Sequence, residues 1–488
     1  MNVSGFSARF PGAAGVSMAE KKRIAAIVGG GLAGLAAAVR LHDLTKNQPD
    51  SAPEIHLFES GKHLGGRASS HFFAGENALL DGAQHVTMNC CPAMLQFLER
   101  TDLRQFWSLQ EEMTFCVRHP VRSALNFVSK SSQKSGSADS PLQFYGFRNS
   151  PWLPRPFQLL PSLWGLKFLT RLERFQLLGI LRRIQHSTPA PGLPFRDWLE
   201  DLFCPDRVAE LFFEPVILSA FSDQAENVSA GIAQSIFQQM LLGPRDAWHL
   251  WLPRKPLREI FDAELTPTLE RLGIRIHRQT PVQRVFPGRL AIRDSRTGAD
   301  SDFRADSIIL TVPWFRAGTL LPELVTRNTF NPDVYEPRTI TAVHFWADRE
   351  LFPQPNLVFP RETIQWLFRP SFPVSASQPG VYHQALLSDS DRCVSTDPEA
   401  LERLVRAELM MLFPESRILH LRVSRTPAAV FSCNAWMEHS RPGALTPFQS
   451  IFLAGDWTET GLPATMESAV RSGNRAAEEA AFEISDST

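Results

Sequence analysis

Apolar positions along the chain fall into two kinds of run. Short, mostly apolar runs, at 24–28, 54–58, 305–313 and 451–454, read as strands of a parallel sheet buried on both faces. The Ala- and Leu-rich stretch after the first of them reads as a helix, so the N-terminal part predicts a βαβ unit. Mixed runs make up the rest. Residues 194–245 read as helical, and 273–285 as strand, turn and strand. Residues 320–445 alternate strand-like runs (339–346, 365–368, 381–387) with one helix near 398–412. After the last buried strand, Pro463 and a small-residue run predict a helix beginning near position 463. No internal repeat is visible.

The joints between these elements carry the candidate chemistry. Gly29, Gly31 and Gly34 stand at GxGxxG spacing, with Leu32 and Ala33 between them, where the first strand gives way to the helix. In that setting the glycines permit a tight turn, close approach to a pyrophosphate, and close packing of helix on strand. The second strand ends at Glu59-Ser60. A carboxylate there accepts hydrogen bonds from ribose hydroxyls and disfavours a 2′-phosphate, so bound NADP is not expected at this site. Next comes Leu64-Gly-Gly-Arg67, in which Gly66 gives a second close approach and the Arg67 guanidinium matches phosphate oxygens. A domain binding NAD alone has no need of that second loop. Far downstream, Gly455-Asp456 ends a strand, and Ala464, Thr465 and Met466 open a helix whose positive end suits an anion.

A length of 488 residues exceeds what one core usually supports, so two domains are expected. Residues 22–100, 250–320 and 446–484 group as a nucleotide-binding domain, 101–249 and 321–445 as a substrate-binding domain, and 1–21 as a flexible tail, with Met18 an alternative start. The net charge of −1 leaves no footprint for nucleic acid. Cys90, Cys91, Cys116, Cys204, Cys393 and Cys433 lack metal-ligand or CxxC spacing, so reduced thiols and no metal site are expected. The Ser- and Lys-rich tract 129–140 reads as a mobile hairpin tip. No run reaches the roughly 18 apolar residues of a spanning helix, so any membrane contact lies on the surface. Residues 151–186 mix Trp, Phe and Leu with Arg155, Lys167, Arg171, Arg174, Arg182 and Arg183. Such a mix suits a membrane interface, and helices of an ordinary substrate domain read the same way. A count of 35 Phe and 11 Trp against 3 Tyr suits an apolar ligand chamber, although drift in composition gives the same skew.

Taken together, GxGxxG, the acidic residue, GGR and a C-terminal Gly-Asp before a helix resemble the amine oxidase and phytoene desaturase flavoproteins. The resemblance implies FAD as cofactor, with adenine meeting the backbone near Val282. It also implies an α/β fold: a Rossmann-type FAD-binding domain, discontinuous in sequence, with an inserted α+β substrate-binding domain. Within that superfamily, Leu80-Asp-Gly-Ala-Gln-His85 and the segments 339–346, 364–368, 453–465 and 468–473 resemble the hydroxysqualene dehydroxylase family, over about residues 22–480. That family is also described as the squalene-associated FAD-dependent desaturases of hopanoid pathways. Ala83 stands where the family pattern Asp-Asn-Gly-Gln-His has glycine, with Gly82 in place of its Asn, and Glu467-Ser468 replaces Glu-Gly.

What the family resemblance implies is reduction of hydroxysqualene, an apolar isoprenoid made from presqualene diphosphate by a partner synthase, to squalene. The reduced thiols point to the cytoplasm, with any membrane contact peripheral, at the inner face of the cell membrane. Lacking a second GxGxxG, the chain depends on an external reductant, either NADPH in transient contact or a separate reductase. A tertiary or allylic alcohol leaves readily only as water, so a proton donor must approach the oxygen while a hydride donor faces the developing cation. An apolar chamber keeps bulk water from that cation.

Asp81 and His85 are the candidate acids, and the bland alternative is that Asp81 structures a turn while His85 packs in the core. Glu467 either faces the flavin or caps the start of its own helix. His344, on an apolar strand, is expected to be packed. Asp456 is expected to take the ribityl or pyrophosphate-side hydroxyls, and the N–H groups of 464–467 to stabilise a reduced anion. Three rivals stand beside this reading. An oxidative isoprenoid desaturase uses the same pocket in reverse, and a non-catalytic flavin-binding subunit would hold a lipid. An amine oxidase is disfavoured because only Tyr145, Tyr335 and Tyr382 supply phenols.

Overall fold

The computed structural model describes residues 22–47, 52–118, 142–153, 157–242, 246–370, 372, 374, 377–390 and 397–486. The tail 1–21 and the tract 129–140 lie outside the described residues.

The buried apolar runs assemble as one parallel sheet. Its centre is β1 (Ile24–Val28), followed by helix α1 (Leu32–Thr45) and β2 (Glu54–Phe58). The order across the sheet is Arg275–His277, β2, β1, Ser307–Leu310, Ile451–Leu453. Val28 pairs with both Phe58 and Leu310, and Leu310 with Leu453, so four strands end at one level. The loops that leave them therefore share one edge, the usual ligand crevice of an open parallel sheet.

The C-terminal helix, Met466–Asp486, crosses α1 at very short range: a Cβ on Gly473 would stand 2.1 Å from the Ala33 carbonyl oxygen. Only glycine fits that crossing. The helix starts three residues after the position expected from Pro463. The Thr465 hydroxyl accepts from the Ser468 N–H at 3.1 Å, so side-chain capping by Thr465 fixes the start.

A second sheet of seven strands, mostly antiparallel, stands in the order Ile418–Phe431, Pro337–Ala347, Val381–Ser388, Trp366–Phe368, Asn356–Val358, Met113–Arg118, Leu142–Phe147. It contains the three strand-like runs expected between 320 and 445, and the helix Pro398–Leu412 lies among them in sequence. The fourteen-residue edge strand Ile418–Phe431 was not expected, because its half-exposed positions mix Arg, Ser and apolar side chains without a clean period.

Two histidines are buried in this sheet. His344, fully buried, has Nδ1 2.7 Å from the Tyr382 hydroxyl, as expected of a packed residue. Burial pushes its pKa down to about 3, with Arg422 adding to the effect. Burial likewise pushes His383 down to about 4, against an opposing hydrogen bond from Nδ1–H to the Val381 carbonyl. A depressed imidazole pKa contributes stability that is present above the ordinary value of about 6.5 and lost as pH falls through the folded value. Urea unfolding should thus show stability declining from pH 6.5 towards 3. The His344→Gln variant should show a shallower decline, and an identical pH slope would remove His344 from the account.

Candidate functional site

At the carboxyl edge of the parallel sheet the chain turns sharply at Gly29, whose N–H donates to the Phe58 carbonyl at 2.9 Å. The Thr311 hydroxyl closes the turn from the neighbouring strand end, within 2.9 Å of the Val28 and Gly29 carbonyls. A Cβ on Gly34 would lie 1.9 Å from the Gly29 carbonyl oxygen, so the first turn of α1 can sit there only with glycine. A Cβ on Gly31 meets nothing nearer than the Gly66 Cα at 3.9 Å. Gly31 is the N-cap of α1; no side chain caps the helix, and its first turn holds no acid. The first N–H groups of α1, those of Leu32, Ala33 and Gly34, lack intrahelical partners and sit at the positive end of a fourteen-residue helix. Bare donors beside open space fit a pyrophosphate.

The Leu64-Gly-Gly-Arg67 loop docks on this turn through the Gly65 N–H, which donates to the Gly30 carbonyl at 2.9 Å. Gly66 is therefore needed first for backbone-to-backbone approach to Gly31: its own Cβ would stand 3.0 Å from the Gly31 Cα. Glu59 overhangs the same loop, accepting from the Gly30 N–H at 2.9 Å and the Gly61 N–H at 2.6 Å. Two carboxylate oxygens offer about four lone pairs, so capacity remains for ribose hydroxyls. Ser60 backs Glu59, with its hydroxyl 3.2 Å from the carboxylate. Val282 opens the strand Val282–Phe286, and the turn before it is tied to this loop by the Thr280 N–H, which donates to the Glu59 carbonyl at 2.9 Å.

The remaining expected residues meet in an unexpected way. Arg67 and Asp456 pair with each other, Nη2 to Oδ1, at 2.5 Å, and Arg67 also donates to the Ala429 carbonyl at 3.0 Å while lying over the Trp314 ring. Arg67 was expected to reach phosphate. In the structure it pairs with the buried Asp456 carboxylate; the guanidinium has five donors, and the carboxylate retains further acceptor sites.

The Gly455-Asp456 turn is held from behind by Arg441, whose buried guanidinium donates to the Asp456 carbonyl at 2.6 Å and the Leu462 carbonyl at 2.5 Å. Arg441 went unnoticed in the sequence, and Trp457 was read only as part of the 453–465 segment; its fully buried indole N–H donates to the Val312 carbonyl at 2.8 Å. A lone Arg before Pro-Gly carries no signal of the carbonyls it will serve. Met466 opens the C-terminal helix, and Ala464 and Thr465 stand just before it rather than inside it.

Of Asp81, His85 and Glu467 the structure brings only His85 to this cluster. His85 is partly buried, and its Nδ1–H donates to the Ala83 carbonyl at 2.8 Å, which leaves Nε2 as the lone-pair nitrogen of the neutral ring. Burial pushes its pKa down and the Arg67 charge adds to this, against the opposing bond to Ala83. Asp81 turns to the fold instead. It ends β4 (Ala78–Asp81), which pairs with β3 (Ser70–Phe73), and its Oδ1 accepts from the Ser70 hydroxyl at 2.5 Å and the Leu257 N–H at 2.9 Å. Burial pushes its pKa up to about 7.

Glu467 takes neither expected position. Its buried carboxylate accepts from the Ala93 and Met94 N–H groups at 3.2 and 2.8 Å, capping the foreign helix α2 (Pro92–Arg100), and pairs with Arg471 at 3.1 Å. The reason is electrostatic: α2 has no side-chain cap of its own and no acid in its first turn. Glu467→Ala should cost about 2 kcal/mol in urea unfolding, as for a lost buried cap, with flavin content and turnover retained. Lowered turnover at unchanged stability would instead return Glu467 to the site.

Compared with known proteins, residues 32–481 match the family described as flavin containing amine oxidoreductase. A hydroxysqualene dehydroxylase from Sinorhizobium fredii is 25% identical over 462 residues, which cover 93% of this chain and 97% of that protein. One from Rhodopseudomonas palustris is 24% identical over 467 residues, with the same shares. An oxidoreductase from Methanosarcina mazei has a similar fold, with a TM-score of 0.66 at 18% identity, over 93% of this chain and 99% of that one.

Proposed function

The chain belongs to the flavin containing amine oxidoreductase family and is an FAD-dependent oxidoreductase, and we propose that it reduces hydroxysqualene to squalene. The observation that carries this reading is the end-to-end likeness to a hydroxysqualene dehydroxylase, 93% of one chain against 97% of the other.

The residues at the sheet edge fit FAD. The N–H groups at the start of α1 take the pyrophosphate, Glu59 the ribose hydroxyls, and the backbone near Val282 the adenine. Asp456, fixed by Arg67 and Arg441, takes the flavin-side hydroxyls. When bound and reduced, FAD supplies hydride. His85 does the acid's work: protonated at Nε2, it gives that proton to the substrate hydroxyl. The C–O bond breaks with its electron pair leaving on oxygen as water, and hydride fills the vacant carbon. The sum is alcohol plus proton plus hydride giving hydrocarbon plus water, and an external donor, NADPH or a reductase, restores the reduced state.

Residues 22–100, 250–320 and 446–484 serve as the FAD domain and 101–249 with 321–445 as the substrate domain. This division is supported by the composition of the two sheets, since every strand of the parallel sheet falls in the first group and every strand of the seven-stranded sheet in the second. A synthase acting on presqualene diphosphate would supply the alcohol.

The test is to reduce the flavin-loaded protein anaerobically, add hydroxysqualene, and follow flavin reoxidation with mass spectrometry of the product. Squalene formed in step with reoxidation is the expected result. Unchanged alcohol with flavin still reduced would overturn the reading and send the search to the oxidised protein with isoprenoid hydrocarbons.

A further inference from the structure

Two helices of the 151–186 region place their aromatic side chains outside the core. In α3 (Leu160–Gly165) and α4 (Arg171–His186), Leu163, Leu177, Ile180 and Ile184 are buried, whereas Trp164, Leu172 and Phe175 are 44%, 68% and 63% exposed. Trp152, just upstream, is 89% exposed. An ordinary packed helix pair would bury these first, because aromatic rings lose most by facing water.

Two of the exposed rings form one patch. Trp164 and Phe175 meet edge to face with centroids 5.0 Å apart, and the Arg174 guanidinium lies 5.1 Å from the Trp164 centroid. Along the segment that carries them the charge is nearly all of one sign. Between 157 and 186, Lys167, Arg171, Arg174, Arg182 and Arg183 face a single acid, Glu173, in a chain of net charge −1. Even Glu173 is taken: it pairs with Arg207 at 2.9 Å and accepts from the Thr170 N–H at 2.7 Å. Arg171 and Arg182 are exposed with Phe175 on α4, opposite its buried Leu177, Ile180 and Ile184.

We infer that this face docks on the surface of an anionic lipid bilayer, rings in the headgroup layer and cations on lipid phosphates. Charge complementarity together with the rings selects that occupant: exposed Trp and Phe suit the headgroup layer, and a bilayer of anionic lipids supplies the opposite sign over a broad plane. Among the described residues no helix is long and apolar enough to cross a membrane, so the contact is peripheral. It places the protein at the phase in which an apolar isoprenoid would dissolve. The inference is independent of the reaction proposed above, since it stands on α3 and α4 alone.

The test is cosedimentation of the flavin-loaded protein with vesicles of phosphatidylcholine, alone or mixed with phosphatidylglycerol. Binding to the mixed vesicles, weak on the neutral ones and reduced by salt, is expected. The double variant Trp164→Glu with Phe175→Glu should weaken partitioning at least about tenfold. Arg171→Glu with Arg182→Glu should abolish the preference for phosphatidylglycerol. Both should keep their visible flavin absorbance and gel-filtration volume, since the altered side chains face solvent. No cosedimentation of the wild type, equal partitioning of the double variant, or a wild-type dimer that the double variant dissolves would each overturn the inference, the last by assigning the face to a second copy. Because no turnover is read, these results are separate from the fate of the hydroxysqualene assay.

Discussion

Gly31→Val is expected to yield a folded protein with no visible flavin absorbance. A Cβ at Gly31 has no protein atom nearer than the Gly66 Cα at 3.9 Å, and its backbone is extended, which a β-branched residue adopts without strain. The valine methyls thus enter only the space above the bare N–H groups of α1, where a pyrophosphate would lie. Gly34→Ala is the contrasting case, since its Cβ would sit 1.9 Å from a backbone oxygen that cannot yield. That variant should fail to reach the folded state at all. Circular dichroism, gel filtration and the flavin spectrum together separate the two outcomes. Full FAD occupancy in Gly31→Val would refute the assignment of this loop as the cofactor cradle.

The second large effect is expected at His85. His85→Gln should keep its flavin and lower kcat with hydroxysqualene by about 10²–10⁴, the usual range for loss of a general acid. The pH dependence sharpens the test. Only the imidazolium can donate, and burial with the nearby Arg67 charge holds the ring neutral through the range in which an exposed histidine begins to protonate. Wild-type turnover should therefore rise as pH falls, with its inflection below the ordinary value of about 6.5. The glutamine variant should show a flat profile.

Asp81 needs its own control, because a carboxyl pushed up to about 7 also gains its proton as pH falls. Asp81→Asn should preserve the shape of the profile while loosening the join between Ser70 and Leu257. If Asp81→Asn flattens the profile and His85→Gln does not, the acid has been misassigned.

Much of the parallel sheet was legible because its strands are buried on both faces, which leaves short, mostly apolar runs without a clean alternation. The glycines between them were legible for a similar reason, since their spacing is dictated by one turn and one helix start. What escaped was decided by partners remote in sequence. Glu467 is drawn to the uncapped end of α2, 373 positions away at Met94, and nothing near it in the chain announces that helix end. Asp81 and His85 sit four positions apart in one loop and look alike as candidates. The Ser70 hydroxyl and the Leu257 N–H claim one of them, and the Ala83 carbonyl sets the tautomer of the other. The late helix start has the same kind of cause: Pro463 suits a first turn by its fixed φ, but the Thr465 side chain supplies the cap.

The salt bridge between Arg67 and Asp456 joins residues 389 positions apart, and the strand Ile451–Leu453 that carries Asp456 to the edge is the last to enter the sheet. On the ribosome, β1, α1 and β2 emerge early, yet they lack the Asp456 side of the crevice and the helix that crosses α1 at Gly473. Flavin capture is then a whole-chain event. A nascent protein stalled anywhere before its final segment should emerge colourless, and cells starved of FAD would accumulate full-length chains awaiting cofactor rather than half-made ones already loaded.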